Sequence, residues 1–103
     1  MTLKLGEIVL VLMQSHQAAG TKMRPAAVLL DTGDDDFVAA PVTSAPSRSE
    51  LDVALEDWRQ ASTIRVHKLT VLSKPEILRT VGTLTERDRK SLGTALYHAF
   101  GRG

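Results

Sequence analysis

The sequence predicts a mainly β fold with a single C-terminal α-helix, in the form of a compact barrel or a strongly bent sheet. Short apolar runs separated by turn residues follow one another at even spacing over most of the chain, and helical periodicity is confined to its last part. With 103 residues, 43% of them hydrophobic, the chain is long enough for one hydrophobic core. We therefore expect residues 1–103 to form a single domain.

Continuous apolar runs indicate the first three strands. Residues 8–13 form the first run, and residues 25–30 form the second, with Pro25 at the first position of a strand, where proline is tolerated. The run at residues 37–42 follows the segment DTGDDD, whose composition is typical of a hairpin turn. Because three adjacent carboxylates alternate in direction, we interpret residues 34–36 as a solvated hairpin rather than a magnesium site.

The rest of the chain predicts shorter strands and then a helix. Residues 51–55 alternate apolar and polar side chains, the period of a half-buried strand. Further apolar stretches follow at residues 64–69, 71–72 and 77–81. Thr85 is a suitable helix cap, and Gly101 a suitable stop. Between them an apolar stripe recurs at three- and four-residue spacing, which predicts a helix packed on the sheet: Leu92, Ala95, Leu96 and Ala99.

The net charge of +1 conceals an uneven distribution. Residues 1–30 carry +2, residues 31–57 hold eight acids and one arginine, and residues 58–103 hold nine bases and three acids, giving −7 and +6 for the last two segments. This asymmetry allows a basic face that would suit a phosphate backbone. It equally allows charges that only solvate opposite sides of the domain, and the pattern leaves both readings open.

The chain has no cysteine, which excludes disulfides, thiolate metal sites and cysteine nucleophiles and agrees with a reducing cytoplasm. The first apolar run is too short for a membrane span, and no signal-peptide cleavage site follows it. We expect a cytoplasmic protein with no cofactor and no membrane association.

Several polar residues lie beside the predicted strands or in the polar loop at residues 14–23. A loop of this length in so small a domain is expected to be functional. Arg24 precedes Pro25, which restricts the backbone of the arginine to extended conformations. Trp58 could either stack a base or be buried. Each of the remaining candidates could also be an ordinary surface side chain: His16, Thr43, Ser44, Arg65 and His67.

Taken in order, several segments resemble the MazF/PemK family of toxin endoribonucleases. They are GEIVLVLM, GTKMRPAAVLL, FVAAPVTS, LDVALEDW, STIRVHKL and VGTLTERD, and they run from about Gly6 to Phe100. The resemblance implies an SH3-like barrel with a C-terminal helix, working as a homodimer. It also implies metal-independent, sequence-selective cleavage of single-stranded RNA, and restraint by a cognate antitoxin protein.

Cleavage without metal uses the neighbouring 2′-hydroxyl as nucleophile and leaves a 2′,3′-cyclic phosphate and a 5′-hydroxyl. Arg24 suits the crowded phosphate because its guanidinium is always charged and donates as a fork. Thr43, which matches the family at PVTS, can donate a hydroxyl hydrogen bond to the same phosphate. Ser44 and Lys22 are expected to contact substrate beside them.

Proton transfer is assigned less directly by the resemblance. His16 lies in the first loop, as the loop histidine of the PemK branch does, although Lys22 and Met23 separate GT from RP here. Arg65 matches the arginine of the R-x-D segment of that branch, but His67 stands where the branch has an acid. Either His67 takes over proton transfer, or catalysis rests on Arg24 and Thr43, with Arg65 and His67 only binding RNA. The second reading is slightly favoured.

Two alternatives belong to other functional classes. One is a barrel that binds a partner without turnover, and the other is a CcdB-like gyrase poison, which shares the fold without cleaving RNA. The pair of Arg24 and Thr43 favours the nuclease, since a gyrase poison would not need it.

Overall fold

Seven strands and one helix follow one another along the chain. A computed structural model describes residues 1–14, 21–58 and 60–101, and of residues 13, 14 and 21 only the backbone. The elements are β1 (Glu7–Gln14), β2 (Thr21–Asp31), β3 (Asp36–Thr43), β4 (Asp52–Ala54), β5 (Thr63–Arg65), β6 (Thr70–Ser73), β7 (Ile77–Thr83) and α1 (Glu86–Phe100). The prediction of a mainly β fold with a C-terminal helix is confirmed.

All strands join one antiparallel sheet in the order β4-β5-β3-β2-β1-β7, with β6 also paired to β3. In the described part of the chain no ladder joins β4 to β7, so the sheet is bent but does not close on itself. Of the two forms that the sequence predicts, the bent sheet is the one observed.

The first strand lies inside the sheet, which explains its continuous apolar run. β1 pairs with β2 on one side and with β7 on the other. Ile8 faces the cluster that α1 covers, whereas Val9 and Val11 face the other side, and all three are buried. A strand buried on both faces has no polar positions to alternate with. These three side chains are therefore unavailable to a second copy of the chain, whereas Leu12 further along β1 is exposed.

Two hydrophobic clusters lie on opposite faces of the bent sheet. The larger one combines strand residues with the helix stripe that the sequence predicts: Ile8, Ala27, Ala40, Val42, Val53, Leu55, Ile64, Val66, Leu84, Leu92 and Ala95. The smaller one is covered by Leu72 and Ile77. Its buried members are Leu3, Val9, Val11, Ala26, Val28, Phe37 and Ala39.

Two predicted segments differ in extent. The polar segment at 14–23 is strand at both ends, because β1 continues to position 14 and β2 begins at position 21. Arg24 therefore lies within β2. The predicted strand at 64–69 ends early, since Val66–Lys68 forms a 3-10 turn. Its start is fixed by the N–H of buried Val66, which donates to the carbonyl of Leu51 at 3.0 Å.

The start of α1 is capped as predicted and is tied to the loop before β5. The side chain of Thr85 accepts the N–H of Asp88 at 3.3 Å. Buried Asp88 in turn accepts the N–H groups of Glu56 and Asp57, each at 2.9 Å, and so fixes the loop on the helix. No helix in the described segments is both long and apolar enough to cross a bilayer.

Ion pairs join the acidic middle of the chain to its basic last part. Asp31 at the end of β2 pairs with Lys74 at 2.9 Å, and Asp57 pairs with Arg87. Hydrogen bonds from Thr85 and then Arg87 lower the pKa of Asp57. Part of the charge asymmetry in the sequence is thus used for contacts between segments.

Asp31 provides a test of these contacts. Hydrogen bonds from the Leu3 N–H, then Lys74 and the Gly33 N–H, hold the pKa of Asp31 well below its ordinary value of 3.8. The folded chain therefore binds the proton less tightly than the unfolded chain. The stabilisation is complete above the ordinary pKa and is lost as the pH falls below it.

We expect Asp31→Asn to lower the urea midpoint of unfolding at pH 7, and the deficit relative to the parental chain to shrink steadily below about pH 4. Asp35→Asn, at an exposed position of the same turn, is the matched control and should show little deficit. A deficit for Asp31→Asn that is the same at pH 7 and pH 3 would contradict the assignment.

Candidate functional site

The pairing of β2 with β3 brings Arg24 towards Thr43. The ladder sets Ala26 opposite Pro41 and Ala27 opposite Ala40. Arg24 shares the face of Ala26 by alternation along β2, and Thr43 shares the face of Pro41 by alternation along β3. Residues opposite each other in an antiparallel pair point to the same face, so Arg24 and Thr43 share a face. Arg24 is exposed and Thr43 is partly buried.

Lys22 adds a second cation beside Arg24. Alternate residues of a strand share a face and lie roughly 7 Å apart, so exposed Lys22 continues the face of Arg24 along β2. The two predicted substrate contacts on β2 therefore point the same way. Ser44 follows Thr43 at the end of β3 and is exposed.

Thr43 also connects this face to β5 and β4. Thr43 lies opposite Thr63, and Arg65, two residues further along β5, lies opposite Asp52. Alternation therefore places Arg65 and Asp52 on the face of Thr43. Ile64, which lies between Thr63 and Arg65, points into the larger cluster. The ladders thus bring Arg24, Thr43 and Arg65, predicted from separate motifs, onto one side of the sheet.

Asp52 is a functional candidate that sequence reasoning missed. Its Oδ2 accepts the Arg48 N–H at 2.9 Å and lies 3.9 Å from Nη1 of Arg65. Its Oδ1 lies 3.7 Å from Nδ1 of His67. The alternation at residues 51–55 predicted a solvent-facing carboxylate, but only 1% of this side chain is exposed. The available signal was an acid at the start of a strand followed by a basic strand.

Beside Thr43 the sheet forms a pocket of about 280 Å³, which we call the Thr43 pocket. Its lining includes Leu10, Pro25, Thr43, Ser44, Trp58 and Arg79. Arg79 comes from β7, opposite Leu10, and sequence reasoning missed it because its distance along the chain gives no sign that β7 pairs with β1. Trp58 is partly buried and packs against the larger cluster, as one of the two roles considered for it requires, and base stacking stays a prediction.

A second concavity, of about 530 Å³, lies between β4 and α1. Asp52 and Ala54 line it from the sheet, and Lys90, Thr94 and His98 line it from the helix. We call it the helix groove. It brings cationic helix side chains to the same strand that carries the buried carboxylate.

Not every predicted residue lies in the described part of the chain. His16 falls within residues 15–20 and is therefore outside it. His67 is 37% exposed at its side chain, and Arg65 is 17% exposed. The hairpin acids at 34–36 bond locally, with Asp34 accepting the N–H of Asp36 at 2.9 Å. Among the described residues no three His, Asp or Glu side chains converge as metal ligands would.

This arrangement suits a phosphodiester rather than a neutral ligand. Arginines on two strands provide forked donors, and the Thr43 hydroxyl, which accepts the Ala45 N–H at 3.2 Å, keeps its own hydrogen for donation. Exposed His67 adds an imidazole on the other side of the Asp52 carboxylate from Arg65.

Comparison with known proteins identifies the family. Residues 4–100 match the model of the PemK-like, MazF-like toxins of type II toxin–antitoxin systems. The chain belongs to this family. The resemblance found from the sequence motifs is thereby confirmed. No curated protein sequence matches the chain.

Solved structures of such toxins share the fold. A mycobacterial endoribonuclease in complex with its cognate antitoxin is 18% identical, with a TM-score of 0.80, over 99% of this chain and 98% of that chain. A second mycobacterial endoribonuclease is 20% identical, with a TM-score of 0.73, over 98% and 94% of the two chains. The MazE-MazF structure from Deinococcus radiodurans is 18% identical, with a TM-score of 0.78, over 98% of each chain.

Proposed function

We propose that this PemK-like, MazF-like toxin is a sequence-selective endoribonuclease that cleaves single-stranded RNA without a metal ion. The products are 2′,3′-cyclic phosphate and 5′-hydroxyl ends, formed by attack of the neighbouring 2′-hydroxyl on the phosphorus. The observation that carries the proposal is the common face of Arg24, Thr43 and Arg65, which three strand ladders assemble. Membership of the toxin family and the endoribonucleases among the similar structures support it.

Arg24 and Thr43 are the proposed phosphate-binding groups. In the transition state the phosphorus is bonded to five oxygens, and negative charge builds up on the two non-bridging oxygens. A guanidinium held on a paired strand stabilises that charge without reorganising. Thr43 donates its hydroxyl hydrogen to the same group from the opposite strand.

Substrate contacts extend from this centre in two directions. Lys22 continues the cationic face along β2, and Ser44, the residue after Thr43, lines the Thr43 pocket. Arg65 extends it along β5. An imidazole is suited to proton transfer, and His16 and His67 are the two proposed residues.

The proposed assembly is a homodimer in the cytoplasm, inhibited by a cognate antitoxin. Two of the similar structures are complexes with an antitoxin or with MazE. Large apolar side chains remain exposed on this chain, including Leu12, Met23, Leu78, Tyr97 and Phe100. Leu12 and Met23 are cross-strand partners two pairs before the Gln14–Thr21 end of the β1–β2 ladder, so they form one apolar patch.

The first prediction concerns metal dependence. The purified protein, incubated with a long mixed-sequence RNA in EDTA, should cut at a few short sequences and leave cyclic phosphate ends. End-group analysis of the fragments measures this directly. Activity that is lost in EDTA and restored by magnesium would contradict the mechanism. RNA that is bound but never cut would indicate a binding module, and inhibition of gyrase without RNA cleavage would indicate a gyrase poison.

A second prediction separates Arg24 from a surface cation. Arg24→Lys keeps the charge but loses the forked geometry, so cleavage should fall by about a hundredfold or more. The melting temperature should barely change, because an exposed charge contributes only ~0–1 kcal/mol to stability. Arg89→Lys, an exposed position on α1, is the matched control and should cleave at the parental rate. Equal rates for Arg24→Lys and the parental chain would remove Arg24 from the mechanism.

Thr43 gives the corresponding test from the other strand. Thr43→Val is similar in shape but lacks the hydroxyl, and cleavage should fall by a similar factor of about a hundred. Thr43→Ser restores a hydroxyl at the same position and should recover most of the rate. If the serine variant is as slow as the valine variant, the hydroxyl is not the functional group.

The proposed homodimer can be tested by its mass in solution. Light scattering at micromolar concentration should give twice the mass of the 11.2 kDa chain. Met23→Lys places a charge in the exposed patch, and because the side chain is 61% exposed it should leave the fold intact. A parental chain that remains monomeric would contradict the proposed dimer.

A further inference from the structure

We propose that His67 is the base that takes the proton from the attacking 2′-hydroxyl, and that buried Asp52 is the positioning residue that orients its imidazole. The proposal rests on the RNA cleavage proposed above and decides between the two histidines. It assigns the carboxylate, which the PemK-like R-x-D pattern would place at position 67, to a neighbouring strand instead.

The end of β5 brings His67 to Asp52. β5 is only three residues long and pairs Arg65 with Asp52 on β4. The chain then turns at Val66, whose N–H donates to the carbonyl of Leu51, the residue before Asp52. The turn closes with the N–H of Leu69 donating to the carbonyl of Val66 at 3.2 Å. His67 is therefore held in a short turn directly after the strand that faces the carboxylate.

The carboxylate of Asp52 is satisfied on one oxygen and not on the other. Oδ2 accepts the Arg48 N–H at 2.9 Å. Oδ1 is buried, and within the described residues it has no hydrogen-bond partner. A buried carboxylate oxygen without a donor is costly, and most such oxygens in folded proteins are bonded. The nearby Nδ1 of His67, at 3.7 Å from Oδ1, is a donor that a small rotation of the imidazole would bring into range.

A hydrogen bond from Nδ1 to Oδ1 would set the tautomer of His67. With the proton on Nδ1, Nε2 is left with a free lone pair and can accept a proton. The carboxylate also stabilises the imidazolium that forms after the transfer, as in other pairs of a buried aspartate and a histidine. The 37% exposed side chain is open to a bound substrate, while Asp52 is shielded from it. Catalytic hydrogen bonds are often long before substrate binds and tighten in the complex.

The face that carries Arg24, Thr43 and Arg65, which we call the phosphate-binding face, leads along β5 to His67. Thr63 is opposite Thr43, and Arg65 is two residues, roughly 7 Å, further along β5. His67 and Arg65 lie on either side of the same carboxylate. An RNA backbone that follows the face from Arg24 and Thr43 to Arg65 therefore comes beside the imidazole.

The step conserves atoms and charge. Nε2 of His67 takes the proton of the 2′-hydroxyl, and the 2′-oxygen forms a bond to phosphorus. The bond from phosphorus to the 5′-oxygen breaks, and the 5′-oxygen leaves with the electron pair and takes a proton from water. The hydroxide so formed recovers the proton from the imidazolium, which returns His67 to its starting state.

The test combines chemical rescue with a double-mutant cycle on full-length protein and a fixed RNA. His67→Gly should lower kcat by about a hundredfold or more while KM changes little, because a base acts in the transition state. Added imidazole should restore part of the lost rate. Added imidazole should not restore the cleavage rate of Arg24→Lys, because that variant lacks the guanidinium and not an imidazole.

Asp52→Asn keeps the shape and one oxygen for the Arg48 N–H, and kcat should fall by about a hundredfold through misplacement of the imidazole. The double variant, Asp52→Asn with His67→Gly, should be no slower than His67→Gly alone, because Asp52 acts through His67. If Asp52 had only a structural role, Asp52→Asn would lower kcat by the same factor in the parental chain and in the His67→Gly variant. Circular dichroism of each variant verifies the fold, and Asp35→Asn is the surface control.

The outcomes separate this proposal from the one on which it rests. Parental protein that cuts RNA while His67→Gly keeps the parental rate would overturn the role of His67 and leave the nuclease intact. Additive losses from Asp52→Asn and His67→Gly would overturn the role of Asp52 in orienting the imidazole. Loss of cleavage in His16→Gln that imidazole restores, with no rescue of His67→Gly, would assign the base to His16. A parental chain that cuts no RNA would overturn both proposals.

Discussion

The arrangement of this molecule depends on the pairing of β3 with three other strands. Its first half, from Asp36 to Ala39, pairs with β6, and its last two residues pair with β5, while β2 follows its other side. A shift of the β2–β3 register by one residue would turn Arg24 into the larger hydrophobic cluster and Ala27 to the opposite face. Burial of Ala27, Ala40 and Val42 in that cluster opposes such a shift. Hydrophobic packing on one side of the sheet therefore fixes the polar residues on the other.

This coupling explains why residues from separate motifs meet. None of the proposed substrate contacts is next to another in sequence, except for Thr43 and Ser44. Lys22, Arg24, Thr43 and Arg65 occupy alternate positions on their strands, and the residues next to them are apolar on the strand side, as with Ile64 before Arg65. The same alternation that builds the core thus aligns the cations. A nuclease site on such a sheet needs no catalytic loop of its own to bring its phosphate-binding groups together.

The sequence predicted the elements of this fold better than their limits. Apolar runs and the stripe of α1 gave the correct type for all strands and for the helix, because burial dictates both patterns. The end of β5 could not be predicted, since it depends on a hydrogen bond from Val66 to Leu51, a residue in another strand segment. The β1–β2 ladder also extends into the polar segment at 14–23, where an apolar run does not mark the strands.

The candidate site was predictable where residue type decides the chemistry and not where pairing decides it. Arg24 was identifiable as a candidate because it matches the RP motif of the family resemblance and because its guanidinium suits a phosphate. Asp52 was not, because the alternation in residues 51–55 is the same for a solvated carboxylate and for one covered by the 3-10 turn. Arg79 enters the Thr43 pocket only through the pairing of β7 with β1. No local pattern contains that information.

The two buried aspartates, Asp88 and Asp52, differ in how completely their carboxylates are hydrogen-bonded within the fold. Asp88 uses both carboxylate oxygens to bind the N–H groups of Glu56 and Asp57, so its negative charge is compensated within the fold. Asp52 is almost as buried, but one of its oxygens has no donor among the described residues except a histidine just beyond bonding distance. A carboxylate that served only to hold its loop would gain by completing its hydrogen bonds, as Asp88 does. The incomplete one lies beside the exposed imidazole of His67, on the face of the sheet that carries Arg24, Thr43 and Arg65. In the proposed reaction this oxygen is the partner of the imidazole, a role that a hydrogen bond completed within the fold would remove.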